Sequence, residues 1–235
     1  MESGCAEYGR RVPLSVMDPS VEHEDPDLYR REAMGAFAHE VRTPLTSIKM
    51  VMELARRQAR EGELVLDAEL AEMLRTSVED LQQLADELQE TSRLERGRIV
   101  LSHGPSDLGA AIEAARELLR GIELEASYET GLEGPWDAAA LVRALGGFAI
   151  SANRIGDGSG AVRLEAAARP DRVELRFTSG APSGAAKVIA ADAGFSFFRS
   201  RQLVLAMGGS VHCERADRFA TFVVALPRSR PGGGG

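Results

Sequence analysis

The chain has 235 residues, of which 44% are hydrophobic and 27% charged, and its net charge is −8 at pH 7. This composition is typical of a globular protein with one large or two small domains, and the acidic balance disfavours general nucleic-acid binding. No apolar run approaches the roughly 18 residues that span a bilayer, and no apolar signal core follows the N-terminus. We therefore expect a cytoplasmic protein without a membrane partner.

Residues 1–25 show little periodicity and are predicted to be a flexible lead. Asp25 and Pro26 are typical of a helix start, because Asp caps the first turn and Pro lacks only an N–H that is unpaired there. After them, apolar residues recur every three or four positions, which predicts one long amphipathic helix. These positions are Phe37, Val41, Leu45, Ile48, Met52 and Ala55.

A second apolar stripe begins after a short polar stretch that ends at Gly62, so an antiparallel neighbouring helix is predicted. Its positions are Leu66, Leu70, Met73, Ser77, Leu81, Leu84, Leu88 and Leu94. Two helices alone bury such stripes poorly. Residues 26–97 are therefore predicted to be an all-α helical hairpin that dimerises into a four-helix bundle, with packing against the rest of the chain as the alternative.

The pattern changes after Gly97, and residues 98–227 are predicted to form an α+β sandwich with one sheet and helices on one face. Strands are predicted at 98–101 and 122–128, and hairpins at 161–168 with 172–178 and at 210–214 with 219–226. Helices are predicted from the Ser106-Asp107 cap to residue 120, at 137–155 and at 196–207. Residues 228–235 are rich in Pro and Gly and are predicted to be a disordered tail.

The segment around His39 carries the strongest functional signal in the chain. Glu40 follows His39 directly, but neighbouring side chains of a helix point about 100° apart. Thr43 lies one turn from His39 on the same face, and Pro44 removes a backbone N–H and is expected to bend the helix. A neutral imidazole is a competent nucleophile because its ordinary pKa is about 6.5, and a nearby carboxylate favours the charge that develops on the ring.

The contiguous segment Phe-Ala-His-Glu-Val-Arg-Thr-Pro-Leu-Thr-Ser-Ile, residues 37–48, resembles the phosphoacceptor box of bacterial two-component histidine kinases. The resemblance implies that His39 is the phosphorylated residue and that Glu40 activates or orients its imidazole. It also implies that Thr43 positions water for phosphatase activity. By the same resemblance, residues 26–97 are similar to the dimerisation and histidine-phosphotransfer domain of that family.

Residues 98–227 resemble the ATP-binding domain of the same family in the order of their elements, but not in their motifs. The asparagine positions of the family fall on Gly147 and Ser151. A neutral Thr178 stands where the family has the Asp that reads adenine.

The glycine-rich motifs of that family are reduced as well. Gly180 is followed by Pro182 where a glycine is expected, and the segment from Gly194 to Ser196 keeps one glycine of the phosphate loop. The stretch 181–193 is too short for a phosphate-covering lid. We therefore expect a degenerate domain that binds no cofactor. Arg199 and Arg201 are interpreted as surface residues. The two cysteines lie far apart and His23, His103 and His212 lack ligand spacing, so no metal site is predicted.

The leading hypothesis is a histidine phosphotransferase of a phosphorelay, without autokinase activity. His39 would carry phosphate between the aspartates of response-regulator receiver domains, and the receiver would supply the Mg²⁺. The expected partners are a second copy of the chain, receiver domains and a histidine kinase. Candidate receiver contacts, chosen by their position on the first helix below His39, are Ile48, Lys49, Met52 and Glu53.

Two alternatives remain open at this point. The first is a non-catalytic pseudokinase that binds a kinase or response regulator, although such a scaffold has no need of a reactive imidazole. The second is a divergent ATP-dependent histidine kinase, or a response-regulator phosphatase that acts through Glu40 and Thr43.

Overall fold

The computed structural model describes residues 26–59, 65–119, 121–156, 160–179, 193–216 and 219–229. The predicted flexible lead, residue Gly180 and most of the predicted tail lie outside these residues. Within the described residues, each helix is too short or too polar to cross a membrane.

The first half is a hairpin of two long helices, α1 (Pro26–Arg57) and α2 (Ala68–Glu95). Asp67 begins α2 by accepting a hydrogen bond of 2.9 Å from the N–H of Leu70, as an N-cap residue does. Arg30 and Glu95 form an ion pair of 3.7 Å between the start of α1 and the end of α2, so the helices run antiparallel. This confirms the predicted helical hairpin.

One face of α1 leaves large apolar side chains exposed. Met34, Leu45 and Met52 are 41%, 46% and 41% exposed. Their separations of eleven and seven residues keep them within about 20° of one another around the helix axis. We call this face the Met34/Leu45/Met52 stripe; its three side chains stay exposed among the described residues.

The second half is built on a sheet whose described strands are β2 (Leu124–Tyr128), β4 (Val162–Ala168), β5 (Arg172–Thr178), β6 (Ser210–Ala216) and β7 (Phe219–Pro227). Its helices are α3 (Leu108–Leu118), α4 (Ala138–Ile155) and α5 (Gly194–Ala206). The strand order is β2-β4-β5-β7-β6; β2 and β4 pair in parallel, and the other described neighbours pair antiparallel. Helices α4 and α5 pack on the sheet through a cluster of Phe148, Phe177, Phe197 and Phe222, whose neighbouring ring centroids are 4.8 to 6.1 Å apart. The predicted α+β sandwich with its two hairpins is confirmed.

The strand predicted at residues 98–101 is wrong, because residues 98–103 have no regular secondary structure. The strand there is β1 (Gly104–Asp107), which pairs antiparallel with β3 (Glu133–Trp136) in a separate two-stranded sheet. β3 was not predicted, since its Gly134 and Pro135 are poor strand formers. Gly134 is needed because a Cβ at this position would overlap the indole of Trp136, which is fully buried.

Asp137 joins the linker between the two halves to the core. Its carboxylate caps α4 by accepting from the N–H of Ala140 at 2.8 Å, and it accepts a second hydrogen bond of 2.8 Å from Ser102 in the linker. Burial by itself raises the pKa of Asp137. The two hydrogen bonds and the charge of Arg143 outweigh the burial, so the pKa lies below its ordinary value.

We predict that Asp137→Ala lowers the free energy of unfolding at pH 7 by about 1 to 2 kcal/mol, as the loss of an N-cap does. Because the folded pKa is lowered, this contribution is present above the ordinary pKa of about 4 and is lost as the pH falls through the folded value. Denaturant unfolding of both proteins between pH 7 and pH 3 measures the difference. Asp107→Ala is the control, because Asp107 caps α3 through Ala110. An equal loss in both variants would show that the linker bond adds nothing.

Candidate functional site

His39 lies on α1 with its side chain exposed. Thr43, one turn further, is also exposed, and the two side chains point about 40° apart around the helix axis. Among the described residues, none donates a hydrogen bond to the imidazole or accepts one from it. Pro44 is buried on the other side, and α1 continues through it as one helix. The imidazole is therefore open to a partner that approaches from solvent.

Glu40 points away from this face and towards the second half of the chain. Its carboxylate forms an ion pair with Arg154 at the end of α4 and accepts a hydrogen bond of 3.2 Å from the backbone N–H of Phe195. Its side chain is 19% exposed. In this structure the acidic neighbour of His39 thus serves the contact between the domains. No sequence signal pointed to Arg154, because it lies far along the chain and in no motif.

The N-terminus of α5 forms the other side of this contact. The helix begins after Ala193, which has no polar side chain with which to cap it, so the carboxylate of Glu40 takes that role. Gly194 has φ +82°, and a Cβ there would lie 2.6 Å from Arg154 Nη1 and 2.8 Å from Glu40 Oε1. Glycine is required by both the backbone conformation and the closeness of the ion pair. The rings of Phe37 and Phe195 pack edge to face at 5.1 Å beside it.

A second charged cluster joins α2 to the same two helices. Arg199 of α5 pairs with Glu87 at 2.7 Å and with Glu90 at 3.1 Å, and Arg143 of α4 pairs with Glu90 at 2.9 Å. The side chain of Arg199 is only 13% exposed, so the interpretation of Arg199 as a surface residue was wrong. The interface between the hairpin and the sandwich is therefore held by ion pairs at two places.

The four predicted receiver contacts do not form one surface with His39. The exposed Lys49 and Glu53 lie about 80° and 40° around the axis of α1 from His39. Ile48 is half-buried about 180° from His39, and Met52 belongs to the stripe about 140° away. The exposed residues that follow His39 within about 40° of its direction include Thr43, Thr46, Met50 and Glu53.

Two of the positions predicted to be degenerate in the nucleotide site are buried where α4 packs against α5. Gly147 and Ser151 lie buried on α4. A Cβ on Gly147 would overlap the hydroxyl of Ser200 on α5 and lie 3.1 Å from the carbonyl oxygen of Ser196. The Ser151 hydroxyl is fully buried and has no hydrogen-bond partner among the described residues.

Thr178 ends β5, where its hydroxyl hydrogen-bonds that of Thr221 on β7 at 3.0 Å. Its position thus belongs to the pairing of two strands. Within the described part of the chain, no three His, Cys, Asp or Glu side chains lie together as metal ligands would.

The hairpin matches a family model. Residues 29–97 match the His Kinase A (phospho-acceptor) domain. The signal transduction histidine-protein kinase BaeS of Escherichia coli (strain K12) is 26% identical over 159 residues, which are 65% of this chain and 33% of that protein. The chain thus spans about a third of the length of this curated relative.

Solved structures share the fold of both domains. The histidine kinase AdeS of Acinetobacter baumannii is 17% identical with a TM-score of 0.67, over 81% of this chain and 98% of that one. Full-length ShkA in complex with AMPPNP is 24% identical with a TM-score of 0.55, over 84% of this chain and 45% of that one. The histidine kinase ThkA in complex with the response regulator TrrA is 16% identical with a TM-score of 0.57, over 87% and 68%. Residues 29–97 therefore match the His Kinase A phospho-acceptor domain, and the chain as a whole is similar in fold to the solved histidine kinases AdeS and ShkA.

Proposed function

We propose that this chain is a histidine phosphotransferase that accepts a phosphoryl group from a receiver aspartate onto His39 and passes it to a second receiver. The observation that carries the proposal is a contrast within one molecule. His39 is exposed on a phospho-acceptor hairpin, whereas the helix that would hold a nucleotide is packed against its neighbour.

The transfer needs only groups that His39 and a receiver bring together. A ring nitrogen with a free lone pair attacks the phosphorus of the aspartyl phosphate. The N–P bond forms as the P–O bond breaks, and the electron pair of that bond stays on the receiver carboxylate. The other ring nitrogen carries the proton and can lose it to a nearby carboxylate or to water. A second receiver takes the phosphoryl group by the reverse of these steps.

The residues of α4 do not fit a nucleotide. An asparagine at position 147 needs a Cβ, and the Ser200 hydroxyl already fills that space. Ser151 is fully buried, so its hydroxyl reaches no ligand. Overpacking of this kind typically costs about 1 to 3 kcal/mol, so recovery of the family's side chains would require α5 to move.

The other two predicted nucleotide positions are engaged elsewhere. The Thr178 hydroxyl is paired with that of Thr221, and a threonine lacks the carboxylate that accepts from an adenine amino group. The N-terminus of α5, which beside a glycine is suited to bind phosphate, holds the carboxylate of Glu40. These contacts support a domain that serves as a docking element and takes no Mg²⁺-ATP.

A receiver domain is the partner that fits the exposed face of α1. The relative ThkA is described as a complex with a response regulator, which supports the same kind of partner here. We place the receiver over His39, Thr43, Thr46 and Met50, because these side chains are exposed along one face that extends about 16 Å below the histidine. The Mg²⁺ required for the chemistry belongs to the acidic pocket of the receiver.

A second copy of the chain is the occupant that we propose for the Met34/Leu45/Met52 stripe. Three large apolar side chains in a line, each more than 40% exposed, are typical of a helix face that packs in a bundle. Two hairpins joined through these faces give a four-helix bundle with both His39 side chains on the outside. Ile48 flanks the same stripe.

A response-regulator phosphatase is the second candidate function. The exposed hydroxyl of Thr43 lies one turn from His39 on the face proposed for the receiver, where it could hold a water molecule against the aspartyl phosphate. This activity is compatible with transfer and would persist when His39 is removed.

We predict that a receiver domain charged with labelled acetyl phosphate transfers label to the full chain, and that His39→Ala abolishes the transfer. The measurement is gel autoradiography of the chain after brief mixing with receivers from the source organism. His212→Gln is the matched control, because His212 lies half-exposed on β6 and should leave transfer unchanged. Undiminished labelling of His39→Ala would contradict the proposal. Pathway output that survives His39→Ala would favour the pseudokinase.

Substitution of Met50 and of Met52, one at a time, tests the proposed receiver face and the proposed dimer face of α1. Met50 and Met52 are 48% and 41% exposed, and they point about 160° apart. We predict that Met52→Glu raises the dissociation constant of the homodimer, measured by sedimentation equilibrium, at least tenfold, as a charge in an apolar interface does. Met50→Glu should leave the dimer intact and slow transfer from the receiver. Loss of the dimer in Met50→Glu, with slower transfer in Met52→Glu, would contradict this assignment of the two faces.

A further inference from the structure

We infer that Arg154 is a positioning residue that holds Glu40 away from His39, so that docking of the sandwich domain restrains the reactivity of the imidazole. The inference rests on the proposed function, since it concerns the regulation of phosphorylation at His39. We call the group formed by Glu40, Arg154 and the N–H of Phe195 the Glu40 latch.

In the Glu40 latch the carboxylate accepts hydrogen bonds from two donors that lie on different helices. Arg154 supplies a charge from the end of α4, and Phe195 supplies a backbone N–H from the first turn of α5. The positive end of the α5 dipole adds to the attraction. A carboxylate held in this way gains little by turning to the neighbouring imidazole, because it would give up both donors.

The residues around the Glu40 latch allow this contact and stabilise it. Gly194 is the residue that lets Arg154 and Glu40 meet, because any side chain there would come within 3 Å of both. The edge-to-face pair of Phe37 and Phe195 lies next to the latch on the same helices. The cluster of Arg199 with Glu87 and Glu90 holds α5 against α2 in the same docked arrangement.

The consequence concerns the proton on His39. A carboxylate beside the imidazole can hold the N–H of one ring nitrogen, which leaves the lone pair of the other nitrogen free to attack. While the latch is closed, Glu40 is engaged elsewhere and the exposed imidazole reacts without it. Opening of the latch frees Glu40 for His39, so undocking of the sandwich domain raises the reactivity of the site.

Potassium phosphoramidate tests this without a receiver, because it is a small phosphodonor that needs no docking surface. His39 attacks the phosphorus, and a new N–P bond to the imidazole forms. The P–N bond of the phosphoramidate breaks, and its amino group, already protonated, leaves as ammonia. The rate is followed by the ³¹P resonance of phosphohistidine in the full chain, with His39→Ala to identify signals from other histidines.

We expect Arg154→Gln to increase the rate of His39 phosphorylation about twofold to fivefold, the range that a partly exposed ion pair can supply. Arg154→Lys keeps the charge and should restore a rate near that of the wild type. In the Glu40→Gln background the Arg154 substitution should change nothing, because Arg154 acts through Glu40. A purely structural role would not show this dependence on the carboxylate.

The results distinguish a failure of the Glu40 latch from a failure of the proposed phosphotransferase function. Equal rates for wild type and Arg154→Gln, or a slower variant, would overturn the latch and leave the proposed function intact. A faster Arg154→Gln that stays faster in the Glu40→Gln background would also overturn it, since the effect would not pass through the carboxylate. Absence of transfer from every charged receiver, with His39 reactive towards phosphoramidate, would instead remove the proposed function.

Discussion

The carboxylate of Glu40 accepts hydrogen bonds from Arg154 and from the N–H of Phe195, and through these contacts the residue beside His39 determines how the hairpin and the sandwich meet. A partly buried carboxylate requires such partners, because burial without them is costly. The same contact caps α5 and explains the glycine at position 194, and Arg199 further along α5 pairs with Glu87 of α2. The exposure of His39 follows, since the docked domain covers the neighbouring face of α1 and not its own.

The packing of α5 on α4 accounts both for the close contact at Gly147 and for the interface with the hairpin. Helix α5 lies directly on α4, where Gly147 leaves room for the Ser200 hydroxyl. That position of α5 brings its N-terminus to Glu40. A helix that moved away to admit a nucleotide would also lose its cap. This coupling is the reason why we propose a docking role for the sandwich domain.

Much of the fold could be predicted because its signals are local. The apolar stripes of α1 and α2 and the Asp137 cap of α4 each lie within a few residues of the element that they define. β3 could not be predicted, because Gly134 and Pro135 form a strand only through pairing with β1 and contact with Trp136. Tertiary contacts override local propensity at such places.

The site divides in the same way. His39 and Thr43 are predicted site residues that come from one contiguous segment, and the structure places both on one exposed face. The partner of Glu40 could not be found, because an arginine at the end of α4 has no motif and meets Glu40 only after both domains have folded. The receiver contacts expected at Ile48 and Met52 followed from distance along the helix, whereas the angle around its axis separates them from His39.

We propose that His39 receives its phosphate from a partner and not from ATP. Titration of the full chain with Mg²⁺-ATP in a calorimeter, followed by a search of the same sample for phosphohistidine, tests this most directly. We expect no saturable heat up to millimolar nucleotide and no phosphohistidine. Saturable binding in the micromolar range, together with phosphate on His39, would contradict it and make the chain a histidine kinase.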